Sequence, residues 1–253
     1  MQIDLNADAG ESYGNWNLGV DEALFPLLSS ANLACGFHAG DPSTIDRSVA
    51  LALRHGVQVG AHPSFPDLVG FGRRAMTLTT HQVRCDVIYQ IGALEAFVRA
   101  HRGALHHVKP HGALAWAMSD DVDVARTVVE AVQTYRSDLP LVVLAGPGGD
   151  PIRTAAHDMG ANLVPEAFPD RAYDRSGRLA PRSQAGSLLT DPDVVALRAV
   201  RMATKGEIEA QDGTVITTEI RTLCIHGDNP HAVEIARAIH EAFRDAGVDV
   251  APF

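Results

Sequence analysis

Of the twelve histidines in this 253-residue chain, five stand where they could act together. His38, His62, His107, His111 and His226 each fall within or just past the end of a short apolar run. Other polar groups hold matching places: Asn6, Asp8 and Glu11 at the first run, Asp41 after the second and Lys109 in the fourth. Glu166 lies at the sixth, followed by Asp170 and Arg171, and Asp228 follows His226 at the seventh. Imidazoles and carboxylates gathered in one place can do two kinds of chemistry. They can hold a divalent transition metal that keeps one position open for water; Asp8, His38 and His62 are the expected set. Without a metal, Asp8 or a histidine can act as general base while Lys109 holds an anion. There is no H-x-x-x-H pair, so metal ligands would have to come from separate strands. The residues alone leave both chemistries open.

Either chemistry needs elements that bring distant residues together. Strand-like runs cover residues 2–8 (QIDLNAD), 31–37 (ANLACGF), 57–62 (VQVGAH), 104–110 (ALHHVKP), 140–146 (PLVVLAG), 161–168 (ANLVPEAF) and 222–228 (TLCIHGD). Most are nearly continuous in apolarity, as strands buried on both faces are. Helical spacing fills the gaps. Asp41 and Pro42 mark an N-cap and a first helical residue, with Ile45, Val49, Ala52 and Leu53 on one face. Further helices are expected over 80–102, over 120–136, and from Asn229–Pro230 onward. Alternating strands and helices imply parallel pairing with right-handed crossovers. Seven units in one domain over 1–253 suit a closed or nearly closed α/β barrel, with an open doubly wound sheet as the competing arrangement. Residues 206–220 break the rhythm: Asp212–Gly213 between two alternating runs predicts an antiparallel hairpin. In either parallel architecture ligands bind at the carboxyl ends of the strands, where the ionisable residues cluster.

Composition narrows the function. The chain is 46% hydrophobic and 21% charged, with a formal charge of −10 and no basic block, so nucleic acid is not an expected partner. There is no run of about 18 apolar residues to span a membrane. The N-terminus has neither a basic nor an apolar leader region, which predicts a cytoplasmic protein. Cys35, Cys85 and Cys224 form no C-x-x-C pair and read as reduced, buried thiols. The glycine-rich AGPGGD (145–150) lacks the Gly-Lys-Ser/Thr ending of a P-loop and reads as a plain turn between strand and helix. The polar stretch 170–186 carries four arginines and has the length of a lid, in which Arg171 and Arg182 could clamp a carboxylate or phosphate.

Seven blocks in order give the chain a wider likeness: DLNADAGESYG, SANLACGFHAGDP, GAHPSFPDLVGFGRR, YQIGAL, HVKPHGAL, FPDRAYDRSGRLAPRSQAG and HGDNPHA. Together they resemble the LamB/YcsF family over essentially the whole length. The resemblance implies a TIM-like, seven-stranded (β/α) barrel of the glycoside hydrolase/deacetylase type. It implies ATP-dependent opening of the 5-oxo-L-proline lactam to L-glutamate, with ATP as the cofactor of an assembled complex and 5-oxoprolinase subunits B and C as partners. On that expectation Asp8 or His62 activates water, His38 positions it, and Lys109 and Arg182 hold anionic groups. His111 or His226 protonates the leaving nitrogen. Asn6, Glu11, Asp41, Glu166, Arg171 and Asp228 join Arg182 in binding substrate. Two departures stand out: Ala115-Trp116 where the family usually has Tyr-Asn, and Pro169 where many members have Ala. A stand-alone metal-dependent deacetylase or amidase, and a subunit that only presents a ligand, are the competing expectations.

Overall fold

The structure is a computed structural model that describes residues 1–227 and 229–253. The strands are β1 (Gln2–Ala9), β2 (Ser30–Ala34), β3 (Gln58–His62), β4 (Leu105–Val108), β5 (Leu141–Leu144), β6 (Leu163–Ala167), β7 (Glu207–Glu209), β8 (Val215–Thr217), β9 (Thr222–His226) and β10 (Asp249–Val250). The helices are α1 (Asp21–Leu24), α2 (Pro42–Arg54), α3 (Thr80–Ala100), α4 (Gly112–Asp120), α5 (Val122–Tyr135), α6 (Asp150–Ala156), α7 (Pro192–Lys205) and α8 (Ala232–Ala246). Parallel pairing runs β1-β2-β3-β4-β5-β6-β9, and β9 returns to β1, closing a seven-stranded barrel. The open sheet is thereby excluded. β10 adds a short parallel extension to the outer edge of β1, and β7 and β8 form the expected antiparallel hairpin.

The strands alternate more sharply than their overall apolarity suggests. In β1, Ile3, Leu5, Ala7 and Ala9 pack outward into the main hydrophobic core, while Asp4, Asn6 and Asp8 point into the barrel. The barrel interior is therefore polar. Asp4 receives hydrogen bonds from Ser29 Oγ at 2.6 Å and Ser30 Oγ at 2.8 Å, and Asn32 Nδ2 donates to Asn6 Oδ1 at 2.7 Å. Buried polar groups satisfied in this way fix strand register without the cost of an unpaired donor or acceptor. One glycine makes room for this layer: a Cβ on Gly60 would lie 2.0 Å from Nε2 of His107, which occupies the barrel opposite it.

Helix boundaries differ from the sequence reading in two places, and one cysteine departs from it. The expected helix over 120–136 is two helices, because Asp121 is extended and caps α5 through the backbone N–H groups of Asp123 and Val124. The last helix starts at Ala232 and not at Asn229, whose side chain instead accepts from the His231 N–H. Cys85 is exposed on α3, whereas Cys35 and Cys224 are buried. AGPGGD forms a 3₁₀ turn leading into α6, as a plain connection should.

Asp41 caps α2, accepting from Ser43 N at 3.0 Å, Thr44 N at 3.3 Å and Thr44 Oγ1 at 2.6 Å. The Thr44 hydroxyl, aided by the Gly14 N–H, holds its carboxyl at about 2. Asp41→Ala is expected to cost about 1 kcal/mol, which lowers the melting temperature by about 2–4 °C in a chain of this size. The folded-state value lies below that of the unfolded chain. The charged cap thus contributes fully near neutrality, and its contribution is lost as pH falls toward 2. Melting curves of the two proteins should converge between about pH 4 and pH 2.

Candidate active site

The polar column inside the barrel rises to three charged groups at its carboxyl end. Lys109, two positions beyond His107 at the end of β4, is only 5% exposed. Its Nζ lies 2.9 Å from Asp8 Oδ1 and 3.0 Å from Glu166 Oε1, with Cys224 Sγ at 3.1 Å. Burial pulls the ammonium down, but Asp8, Cys224 and Glu166 outweigh it and hold Lys109 well above its usual range. Burial likewise pushes Asp8 up, and His62 and Lys109 overcome this to keep its carboxyl well below the usual carboxylate range. Glu166 moves upward, because burial exceeds the pull of Lys109. Asn6 lies beneath this group, donating to Glu166 Oε1 at 2.9 Å and Thr222 Oγ1 at 2.6 Å. It orients Glu166 from below and does not line the cavity above.

A second device sits across the rim. Asp170, fully buried just after β6, accepts from the His226 backbone N–H at 3.0 Å and meets His226 Nδ1 at 2.9 Å. A ring nitrogen held by a carboxylate fixes the tautomer and leaves Nε2 for the site. The Phe168 ring stacks on the same imidazole, with centroids 5.5 Å apart. Asp170 was visible in the sequence as a polar residue after a strand, but nothing there tied it to a histidine 56 positions on.

The third group is a knot of histidines beside Asp8. The rings of His38 and His111 stack at 3.9 Å, and His62 meets both edge-on. Glu11 Oε1 lies 3.3 Å from His38 Nε2 and 3.9 Å from His111 Nδ1. Glu11, His38, His62 and His111 are all buried, and each offers one donor atom within 4.8 Å of the others. This set could hold a metal ion. It differs from the expected Asp8, His38 and His62: Gly10, at φ 66°, turns the chain past β1 and brings Glu11 to the cluster. Asp8 stays on the cavity side, with Oδ2 3.2 Å from His62 Nε2. Burial first, then neighbouring histidines, hold His38 and His111 well below the usual imidazole range, so both are neutral at pH 7. Cys35 takes no part as a nucleophile: burial pushes its thiol up to about 12.

Above these groups opens a cavity of about 530 Å³, within the range of small-molecule sites. Asp8, His62, Lys109, His111, Glu166 and His226 reach its wall, as do Arg171 and Arg182. Glu11 and His38 lie behind that wall. Asp41 is held at the start of α2, and Asp228 lies outside the described residues. Arg171 is committed to structure, donating to Ser187 O at 3.0 Å and Ala180 O at 2.7 Å. It thereby pins the long loop over the cavity, where Leu179, Ala180 and Pro181 form part of the wall. Ala115 and Trp116 also line the cavity, so the departure noted in the sequence falls on the pocket itself. Arg73 is a further lining residue and had no strand-end signal to mark it.

The LamB/YcsF family model matches residues 3–253. The 5-oxoprolinase A-type polypeptide of Thermus thermophilus is 56% identical over 253 residues, covering 100% of both chains. Its counterpart of the same name in Pyrococcus furiosus is 47% identical over 252 residues, covering 100% of this chain and 98% of that protein. The crystal structure of a lactam utilization protein from Thermus thermophilus superposes with a TM-score of 0.93 at 55% identity, covering 100% of each chain.

Proposed function

The chain belongs to the LamB/YcsF family, and from that membership we propose that it is the hydrolytic subunit of an ATP-dependent 5-oxoprolinase. In this reading it opens the lactam of 5-oxo-L-proline to L-glutamate together with subunits B and C, in the cytoplasm. One observation carries the proposal. A single cavity joins a buried ammonium flanked by two carboxylates to an aspartate-held histidine.

The chemistry requires that combination. A lactam is a resonance-stabilised amide and resists water, so its carbonyl must first be activated. The chain carries no P-loop sequence, and activation by ATP falls to the partner subunits. Water then adds to the activated carbonyl carbon, and the ring C–N bond breaks. Asp8, kept ionised by Lys109, orients the attacking water. Lys109 faces the carbonyl oxygen and stabilises the negative charge that grows there. The departing nitrogen needs a proton, and His226 supplies it from Nε2 while Asp170 holds the ring. His111 does not take this part, because both its ring nitrogens are engaged, on Phe71 O and His62 Nε2. Arg182 at the rim holds the substrate carboxylate.

The test is glutamate formation from 5-oxoproline with the purified chain, ATP and the two partners, omitting each in turn. Turnover is expected only with all components present. Release of glutamate by the chain alone without ATP would overturn the reading, as would no turnover with every component supplied.

A further inference from the structure

The histidine knot has a hydrogen-bonding problem that a cation solves. His62 Nδ1 lies 2.6 Å from the Lys109 carbonyl, and His111 Nε2 lies 2.8 Å from the Phe71 carbonyl. A carbonyl oxygen only accepts, so both of these nitrogens must carry protons. In the neutral rings the opposite nitrogens, His62 Nε2 and His111 Nδ1, are then bare lone pairs, yet they face each other at 3.0 Å. Asp8 Oδ2, a further acceptor, stands 3.2 Å from the same His62 nitrogen. The pattern continues at His38. Ser64 Oγ donates to Phe65 O at 2.9 Å, and so accepts from His38 Nδ1 at 3.0 Å. That leaves the His38 Nε2 lone pair aimed at Glu11 Oε1. Acceptors converge here from several separate segments of the chain.

We propose that Glu11 Oε1, His38 Nε2, His62 Nε2 and His111 Nδ1 are the ligands of one divalent transition-metal ion of the zinc class. Three observations fit such an ion. The chemistry of the set, three imidazoles and one carboxylate, is that of zinc. The separations also fit: a tetrahedral ion with bonds of about 2.1 Å holds its ligands about 3.4 Å apart, and the donor atoms here are 3.0, 3.3 and 3.9 Å apart along the measured edges. Each imidazole, finally, is anchored through its far nitrogen to a carbonyl or hydroxyl, the outer support that metal-bound histidines use. Phe71 supplies one anchor from a left-handed backbone at φ 56°. Next to it, a Cβ on Gly72 would lie 2.8 Å from His111 and 2.9 Å from His38. The backbone is thus shaped around the rings.

The proposal concerns binding and is independent of the lactam chemistry. The full chain is stripped with chelator, loaded with Zn²⁺ or Co²⁺, and freed of excess ion by gel filtration. Elemental analysis is expected to give one ion per chain, and Co²⁺ should give the strong visible bands of a four-coordinate site. His62→Asn and His111→Asn should each weaken binding at least 100-fold, with circular dichroism confirming that they fold. His226→Asn, outside the set, should bind as the parent does. A folded parent chain that retains no ion would overturn the proposal, whatever the variants do. So would full retention by the His62→Asn/His111→Asn double variant. Loss of lactam turnover with the ion still bound would count against the lactam reading and leave the site standing.

Discussion

Asp8→Asn is expected to lower glutamate formation by the assembled enzyme about 1000-fold, within the range that a positioned acid–base group supplies. The substitution is informative because it disturbs little else. Asp8 Oδ1 accepts from Lys109 Nζ and from Asn32 Nδ2, both at 2.9 Å, and an asparagine oxygen can accept both. Its amide nitrogen would then face His62 Nε2, now 3.2 Å from Oδ2, and can donate to that lone pair. Shape and hydrogen bonds survive, and only the charge is lost. Lys109 keeps Glu166 as its counter-ion. The melting temperature should therefore change little, and the loss should fall on kcat more than on KM. Steady-state kinetics with both partners and saturating ATP measures this. Unchanged glutamate production would remove Asp8 from the reaction and with it the assigned roles of the Lys109 group.

The barrel was legible from the alternation of short strands and helices, and the rim from the residue types that end those strands. β1 shows why. Ile3, Leu5 and Ala7 alternate with Asp4, Asn6 and Asp8, so a period of two already separates the helix-facing side from the interior. What lay hidden were features set by loops. Glu11 enters the histidine cluster only through the turn at Gly10, and Asp170 meets His226 only because β6 and β9 are neighbours in the closed barrel. Strand periodicity carries no information about either. α4 was missed for a related reason. Its GALAWAMSD sequence is apolar nearly all round, so it has no one-sided stripe to announce a helix. Arg171 reads as a ligand clamp by charge alone. Its two bonds to loop carbonyls show that a buried guanidinium can serve the backbone that covers a site instead of the substrate in it.

The Asp170–His226 pair yields the other large effect. Asp170→Asn should reduce kcat by about 100- to 10,000-fold. His226 presents two N–H groups to this carboxylate, the backbone N–H and ring Nδ1. An asparagine oxygen in place of Oδ2 can still accept from both. The amide nitrogen then takes the place of Oδ1, 3.0 Å from Nδ1, and sets a donor against a donor. The ring escapes by moving its proton to Nε2 and accepting from the amide. That tautomer is not fixed by a carboxylate, and the charge that would balance an imidazolium during proton transfer is gone. Residues acting as one unit are not additive, so the Asp170→Asn/His226→Asn double variant should be no slower than His226→Asn alone. A purely structural aspartate would behave differently, with the double variant slower than either single one by the product of their effects. That product, or near-normal turnover in Asp170→Asn, would show that the pair does not carry the proton.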